Sequence, residues 1–231
     1  MTLRLLAVAL AVVGAGMAMA QDVTSNKGKL SYAVGYDMGR KLVDSKIDLD
    51  PATLNRAILD GMTHKDPLLT EPQMQQLLQT MQQRLLAQAK ADFDKASAEN
   101  KAASDRFVAQ NRSKPGVHTL ADGIQYRVIE EGNGPTPRPD GRARILYHAS
   151  ISTGQQFASN DGNNGSTAQP TIVTVNESPM PGIKQILPMM RQGAHWEILL
   201  PPEQAYGNSP GSPIGPNQAI LFDIKIVEVL K

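Results

Sequence analysis

The chain has 231 residues, of which 41% are hydrophobic, and this is enough apolar material for one large or two modest domains with a packed core. Its 23 basic and 22 acidic side chains nearly balance, so charge gives no support for a nucleic-acid partner. Cysteine is absent, which excludes disulfides, thiolate metal sites and a thiol nucleophile.

The first twenty residues have the pattern of a secretory signal peptide. Arg4 gives a positive start, residues 5–13 form an apolar run, and Ala18-Met19-Ala20 is a small-x-small cleavage pattern. The apolar run is shorter than the ~20 residues that a membrane-spanning helix needs, which argues against an anchor. We therefore expect export and removal of residues 1–20, which leaves 22 basic and 22 acidic residues.

Two short amphipathic helices are predicted next. Apolar residues recur at every fourth position from Leu30 to Leu42, which places them on one helix face. Asp50 is a suitable N-cap and Pro51 suits the first position of the second helix. So small a unit cannot bury these faces alone, and its methionines suit an irregular interface, so we expect a homodimerisation region over residues 21–69. Ordinary core packing of the methionines is the alternative interpretation.

A third helix of about forty residues, or about 60 Å, is predicted over residues 70–113. Thr70 and Gln73 have capping-box spacing, and no helix breaker follows until Lys114-Pro115-Gly116. The first half has an apolar face that should pack in the dimerisation region, whereas residues 90–110 are polar nearly all round. We predict a solvent-bridging rod for that second half. A coiled coil is less favoured because sustained apolar a and d positions are missing.

After Gly116 the pattern changes to alternating, β-branched segments separated by Gly and Pro. Strands are predicted over residues 124–130, 142–152, 171–175, 194–200 and 218–230, with a short amphipathic helix over 181–190. This content predicts an α+β fold in which an antiparallel sheet packs on one helix. Residues 160–169, rich in Asn, Gly, Ser and Thr, are predicted to form a flexible loop.

Conventional catalytic and metal-binding motifs are missing from the sequence. The four histidines are scattered without metal-ligand spacing. No Gly-x-Ser-x-Gly elbow, phosphate loop or His-Glu-x-x-His occurs, and Gly132-Asn133-Gly134 is a turn rather than a dinucleotide fingerprint. We expect neither a metal nor a cofactor.

Ordered motifs are spread over nearly the whole chain after residue 20. They are Leu30-Ser31-Tyr32-Ala33-Val34-Gly35-Tyr36-Asp37-Met38-Gly39, Leu69-Thr70-Glu71-Pro72-Gln73-Met74, Asn111–Val117, Asp122-Gly123-Ile124-Gln125-Tyr126, Trp196-Glu197-Ile198, Ala205-Tyr206-Gly207, Pro213-Ile214-Gly215-Pro216-Asn217 and Leu221-Phe222-Asp223-Ile224. Together they resemble the FKBP family of peptidyl-prolyl cis-trans isomerases, specifically its exported branch of macrophage infectivity potentiators and FkpA-like proteins.

The resemblance implies an N-terminal helical dimerisation domain, a long connecting helix, and an FKBP-like domain over residues 114–231 whose antiparallel sheet wraps on a short helix. It implies a periplasmic isomerase and folding chaperone for exported proteins, acting on unfolded or proline-containing polypeptides. Whether the protein stays soluble or associates with the outer membrane is left open.

The resemblance also assigns residues to a proline-binding pocket. Tyr147 and Phe157 match its aromatic walls, and Tyr206 matches its hydrogen-bonding tyrosine. Met180 matches the residue whose backbone N–H binds a substrate carbonyl. The remaining substrate-binding matches are Pro179, Ile183, Ile214 and Phe222. Such a pocket implies catalysis by tighter binding of the twisted imide than of the planar ones, without a nucleophile or a titrating acid. Plain core packing is the alternative for each residue, most of all for Phe222 and Ile214.

Three positions depart from the family pattern. Ala158 replaces an acidic residue that would be a polar partner for Tyr147, Ile183 replaces a tryptophan on the pocket floor, and Pro179 replaces a β-branched residue. Lost ring stacking weakens proline binding by about 1 kcal/mol. A catalytically weak or inactive FKBP-fold chaperone or adaptor is therefore the alternative function. A spacer protein built on the long helix is a weaker alternative because it leaves the pocket aromatics unexplained.

Overall fold

The structure is a computed structural model that describes residues 23–162 and 167–230. The predicted signal peptide, residues 1–20, lies outside the described residues, as do residues 163–166 of the predicted flexible loop. The chain divides into two compact units, an N-terminal unit up to Thr80 and a C-terminal unit from Met81. Within the described ranges, no helix is both long enough and apolar enough to cross a membrane.

The N-terminal unit is helical. It contains α1 (Asn26–Asp44), α2 (Pro51–Met62) and the first turns of α3 (Glu71–Arg112). The predicted cap of α2 is confirmed, because the Asp50 carboxylate accepts a hydrogen bond of 2.7 Å from the Thr53 backbone N–H. At the start of α3, the Thr70 backbone N–H donates to the Gln73 side-chain oxygen at 3.0 Å, which is one of the two bonds of a capping box.

The apolar faces of these helices are open to solvent in a single chain. No residue of α1 or α2 is buried. Val34 on α1 is 52% exposed, Met62 on α2 is 75% exposed and Leu77 on α3 is 60% exposed. The unit therefore leaves unburied the residues that its own amphipathic pattern sets apart as apolar.

The C-terminal unit is built on one antiparallel sheet. Among the described residues the strands are β1 (Val117–Thr119), β2 (Gln125–Glu130), β3 (Arg142–Ile151), β4 (Gln156–Ser159), β5 (Thr171–Thr174), β6 (His195–Leu200) and β7 (Ile220–Leu230). Their order is β1-β2-β6-β7-β3-β4, and β5 also pairs with β3. The short helix α4 (Pro181–Ile186) precedes β6 and continues into a 3-10 turn over Leu187–Met189.

The fold class is confirmed as helices, a long connecting helix and an antiparallel sheet. Every predicted strand is present, with ends that agree to within two residues. The sequence pattern missed β1 and β4, which have three and four residues. Segments this short show no measurable alternation, so their pairing with β2 and β3 is what makes them strands.

The core lies between one face of the sheet and α4. Cross-strand register sets Ala149, Phe222 and Ile198 side by side on β3, β7 and β6, and all three are buried. Ile183 and Ile186 of α4 belong to the same buried cluster. Because side chains alternate along a strand, this one face receives the apolar residues of each strand and fixes the register.

The prediction that residues 90–110 form a rod standing in water is wrong for the C-terminal part of α3. Ser104 is 0% exposed and Asn111 is 2% exposed. Both hydrogen-bond to the sheet domain, Ser104 with Asn217 and Asn111 with Gln125. Hydrophobic periodicity does not detect such a surface, because it is polar and is buried through hydrogen bonds rather than through apolar contact.

Candidate functional site

Two of the predicted pocket rings lie side by side on the core face of the sheet. Tyr147 on β3 is opposite Ile224, and Phe222 on β7 is opposite Ala149, so the two aromatic residues are diagonal neighbours. Their ring centroids are 6.3 Å apart with planes inclined by 56°. This is within the distance range of a favourable tilted aromatic pair. Phe222 is buried, whereas Tyr147 keeps part of its surface accessible.

A β-bulge brings two consecutive residues of β4 to the core side. The β3–β4 register shifts between Ala149 and Ser150, and Phe157 has no direct partner in it. In a regular strand Phe157 and Ala158 would point to opposite faces, but both pack against the core cluster. Ala158 thus lies on the core side of the sheet. Its methyl group offers no hydrogen-bond acceptor to the Tyr147 hydroxyl.

Tyr206 follows a 3-10 turn over Pro202–Gln204 and precedes Gly207, whose φ of 66° lies in the left-handed region. Burial raises the pKa of the Tyr206 phenol, and electrostatic interaction with Tyr147 raises it further. That second cause places the two hydroxyl groups within electrostatic reach of one another. The raised pKa also keeps the Tyr206 hydroxyl protonated, and so able to donate a hydrogen bond, at neutral pH.

The segment that leads into α4 carries three more predicted residues. Pro179 is exposed, Met180 is half-buried and Ile183 is 5% exposed. The Met180 carbonyl accepts hydrogen bonds from the Ile183 and Lys184 backbone N–H groups at 3.2 and 3.4 Å. The Met180 backbone N–H, predicted to bind substrate, donates to the Ser178 hydroxyl oxygen at 3.3 Å. Nothing in the sequence singled out Ser178, although a serine two residues before a backbone donor is typical of a turn.

Gly182 allows α4 to approach the sheet closely. A Cβ at this position would lie 2.5 Å from a Leu200 methyl carbon and 3.0 Å from the Gln204 carbonyl oxygen. Only glycine fits without movement of β6 or of the turn before Tyr206. The close approach seats Ile183 against the core beneath the site.

Asn160 fastens the strands beside Tyr147. Its side-chain oxygen accepts from the Tyr147 backbone N–H at 2.6 Å, and its backbone N–H donates to the Tyr147 carbonyl at 2.9 Å. Its side-chain amide donates to the Ile145 carbonyl and to the Thr171 hydroxyl, both at 3.0 Å. The sequence placed Asn160 only in a flexible loop. Its positioning contacts arise from tertiary pairing and left no local signal.

The structure therefore brings Tyr147 and Phe222 into ring contact and sets Tyr206 within electrostatic reach of Tyr147. Four further predicted residues pack against the same core cluster; they are Phe157, Met180, Ile183 and Ile214. Pro179 is the exposed member of the predicted set. The group is apolar apart from phenolic hydroxyls and backbone amides. It is suited to noncovalent binding of an apolar ring with a few hydrogen-bonded carbonyls.

The charged pairs of this unit lie on the opposite face of the sheet. His195 Nε2 is 2.6 Å from Asp223 Oδ1, and Arg127 is 3.3 Å from Glu197. Across the described part of the chain, no three His, Cys, Asp or Glu side chains are grouped so that they could hold a metal ion. The chemistry available at the site is thus that of rings, hydroxyls and amides.

The sequence and structure match known proteins over both units. Residues 27–128 match the family model described as the domain amino terminal to FKBP-type peptidyl-prolyl isomerase, and residues 134–227 match that of FKBP-type peptidyl-prolyl cis-trans isomerase.

Two curated relatives cover most of the chain. The chain is 36% identical over 213 residues to "Outer membrane protein MIP" of Legionella longbeachae, covering 92% of this chain and 89% of that protein. It is 31% identical over 214 residues to "Peptidyl-prolyl cis-trans isomerase Mip" of Coxiella burnetii, covering 92% and 90%. Among solved structures it is similar to FkpA from Escherichia coli, with a TM-score of 0.65 and 25% identity, covering 89% of this chain and 97% of that one.

Proposed function

The chain belongs to the FKBP-type peptidyl-prolyl cis-trans isomerases, and from that premise we propose that it isomerises prolyl bonds of unfolded exported polypeptides and acts as their folding chaperone. The observation that carries the proposal is the grouping of Tyr147, Phe222 and Tyr206 at one end of the core face. These three residues come from two strands and a loop, and together they offer an apolar surface with protonated hydroxyls.

The proposed mechanism needs no covalent chemistry. A prolyl bond rotates slowly because resonance makes the planar amide rigid, with a barrier of ~18–20 kcal/mol. An apolar surface around the proline ring disfavours the charge-separated resonance form of the planar imide. Differential binding of the twisted form then lowers the barrier. Tyr206 and the Met180 backbone N–H would hold substrate carbonyls, and the Ser178 hydroxyl would release that N–H when substrate arrives.

The mature protein is proposed to be a homodimer joined through the N-terminal unit. Its apolar faces, including Val34 and Met62, are exposed in one chain, and a second copy would remove them from water. The flexible thioether of Met62 suits an irregular interface of this kind. Two such units would present two binding sites to one client polypeptide.

The proposed location is the periplasm, after removal of residues 1–20. The pattern of Arg4, an apolar run and Ala18-Met19-Ala20 supports export. One relative carries the name of an outer membrane protein. Association of the mature chain with the outer membrane is therefore a second possibility, separated by fractionation of cells into soluble periplasm and membrane.

The decisive experiment is exchange NMR on a short proline peptide with the mature chain, residues 21–231. We expect the cis-trans exchange rate to rise in proportion to protein concentration and to return to background when a macrolide ligand is added. Absence of any acceleration, with a folded protein by circular dichroism, would contradict the proposed activity.

The second candidate function is that of a chaperone or adaptor with weak or no isomerase activity. Ala158 and Ile183 favour it, since the first gives Tyr147 no polar partner and the second replaces a large ring by a smaller aliphatic side chain. This candidate predicts suppression of client aggregation with no exchange rate above background. Aggregation of a reduced, unfolding client measured by light scattering, beside the NMR assay, separates the two functions.

A further inference from the structure

The C-terminal half of α3 is hydrogen-bonded to the loop that carries Tyr206. We call residues 205–219 the Tyr206 loop; it runs from the end of the turn over Pro202–Gln204 to the start of β7 and also contains Ile214. The loop contains no strand or helix of its own. Its conformation must therefore be held by bonds to other elements.

Ser104 makes the most buried of these bonds. Its hydroxyl donates to the Asn217 carbonyl oxygen at 2.9 Å and accepts from the Ala219 backbone N–H at 2.8 Å. Ser104 is fully buried, so no water can replace either bond. Loss of the hydroxyl would leave a buried carbonyl and a buried N–H without a partner, which costs more than the bonds themselves contribute.

Asn217 joins the helix to the residue that follows Tyr206. Its side-chain amide donates to the Ser97 hydroxyl at 2.9 Å, while its backbone N–H donates to the Gly207 carbonyl at 2.9 Å. Its φ of 52° lies in the left-handed region, which Asn tolerates better than most residues. A chain of two bonds thus connects α3 with the backbone next to the Tyr206 ring.

Two further bonds extend the contact along the helix. The Ser97 hydroxyl donates to the Asn208 side-chain oxygen at 2.9 Å, and the Asn100 amide donates to the Pro216 carbonyl at 2.9 Å. Ser97, Asn100 and Ser104 are spaced by three and four residues and so lie on one helix face. That face is the polar stripe that the sequence pattern had assigned to solvent.

We propose that Ser104 and Asn217 are positioning residues for the isomerase reaction, through which helix α3 holds the Tyr206 loop and with it Tyr206 and Ile214 at the proline site. The proposal rests on the proposed function. It implies that the catalytic unit begins on α3 near Ser97 rather than at residue 114, because a domain cut at 114 lacks every one of these anchors.

The test compares three variants in the full mature chain. Ser104→Ala removes both buried bonds, and Asn217→Gly removes the bonds to Ser97 while it keeps the left-handed backbone accessible. The matched control is Asn111→Ala, which breaks a buried bond of 3.0 Å between the same helix and Gln125 of β2, away from the Tyr206 loop. The readouts are kcat/KM for a proline peptide and amide hydrogen exchange of residues 205–219.

For Ser104→Ala and Asn217→Gly we expect kcat/KM to fall roughly tenfold, since displacement of a binding group by about 1 Å can cost on the order of 100-fold. Amide exchange should accelerate in the Tyr206 loop and stay unchanged in β3 and α4. Asn111→Ala should lower the melting temperature while leaving kcat/KM and loop exchange unchanged. If Ser104→Ala does not fold, Asn217→Gly decides alone.

Three results would overturn the inference. One is unchanged kcat/KM in Asn217→Gly and in folded Ser104→Ala. Another is an equal fall in the Asn111→Ala control, which would show a general effect of stability. An inactive wild-type chain would refute the proposed function itself, and is thereby distinguished from an active wild type whose positioning variants behave normally.

Discussion

The hydroxyl of Tyr206 lies within electrostatic reach of the hydroxyl of Tyr147, although 59 residues separate the two in the chain. Burial and this interaction raise the pKa of Tyr206, so two neutral phenols face one another at physiological pH. The pair is the polar part of an otherwise apolar group of side chains, and it leads to the first two predictions.

Replacement of Tyr206 by phenylalanine should lower kcat/KM by roughly fivefold to tenfold, because one hydrogen bond to a substrate carbonyl, worth about 1 kcal/mol, is lost while the ring is kept. Exchange NMR on a proline peptide measures the change. The control is Tyr126→Phe, since Tyr126 stacks on Trp196 at 4.8 Å on β2 and is not a pocket residue. Equal losses in both variants would contradict the role of Tyr206.

The isomerase rate should be independent of pH between about pH 6 and about pH 9, because a phenol with a raised pKa stays protonated there. The folded-state pKa of Tyr206 lies above the unfolded value of about 10. The stability that this group contributes is therefore fully present below that pH and is lost as the pH rises through the folded pKa. Urea unfolding of wild type and Tyr206→Phe above pH 10 should show a smaller loss in the variant.

Ala158→Asp should raise kcat/KM by roughly threefold to tenfold, since a carboxylate at this position can accept a hydrogen bond from the Tyr147 hydroxyl and fix its ring. Ser159→Asp is the matched control. Ser159 is opposite His148 on the other face of the β3–β4 pair, so its carboxylate is directed away from the core. A rate unchanged by Ala158→Asp would show that this departure from the family pattern does not limit catalysis.

Ile183→Trp should tighten binding of a proline peptide but lower the stability by about 1–3 kcal/mol, because Ile183 is nearly fully buried and a larger ring overpacks the core. Peptide titration by NMR and thermal unfolding measure the two effects. Ile186→Trp on the same helix is the control: Ile186 is buried in the core cluster outside the predicted site, so it should lose stability without gain in affinity. Stronger binding in the control would point to a nonspecific effect.

Val34→Glu should convert a dimer of the mature chain into monomers. Val34 lies half-exposed on the apolar face of α1, and a two-fold interface would place two new carboxylates in an apolar contact. Sedimentation velocity measures the mass. Lys29→Glu, which also adds negative charge to exposed α1 surface, should remain dimeric; a monomeric wild type at micromolar concentration would contradict the proposed interface.

Local chemistry was enough to place most elements from the sequence. Asp50 and Pro51 start α2 because a carboxylate satisfies a free N–H and proline needs none. Alternation of apolar residues defined β3, β6 and β7, since one face of each is buried. Motif resemblance, rather than pattern, supplied the pocket residues, and their roles stay predictions.

Tertiary structure alone decided what lies beside what. The sequence determined that residues 90–110 are helical, but not that Ser104 is buried, because a polar side chain becomes a core residue only when distant groups such as the Asn217 carbonyl and the Ala219 N–H satisfy it. Likewise β4 is a strand because β3 offers it a free edge, and the bulge between them turns both Phe157 and Ala158 inward. Local periodicity reports which face of an element is apolar, whereas hydrogen bonds between residues far apart in the chain exist only once the fold has brought the partners together.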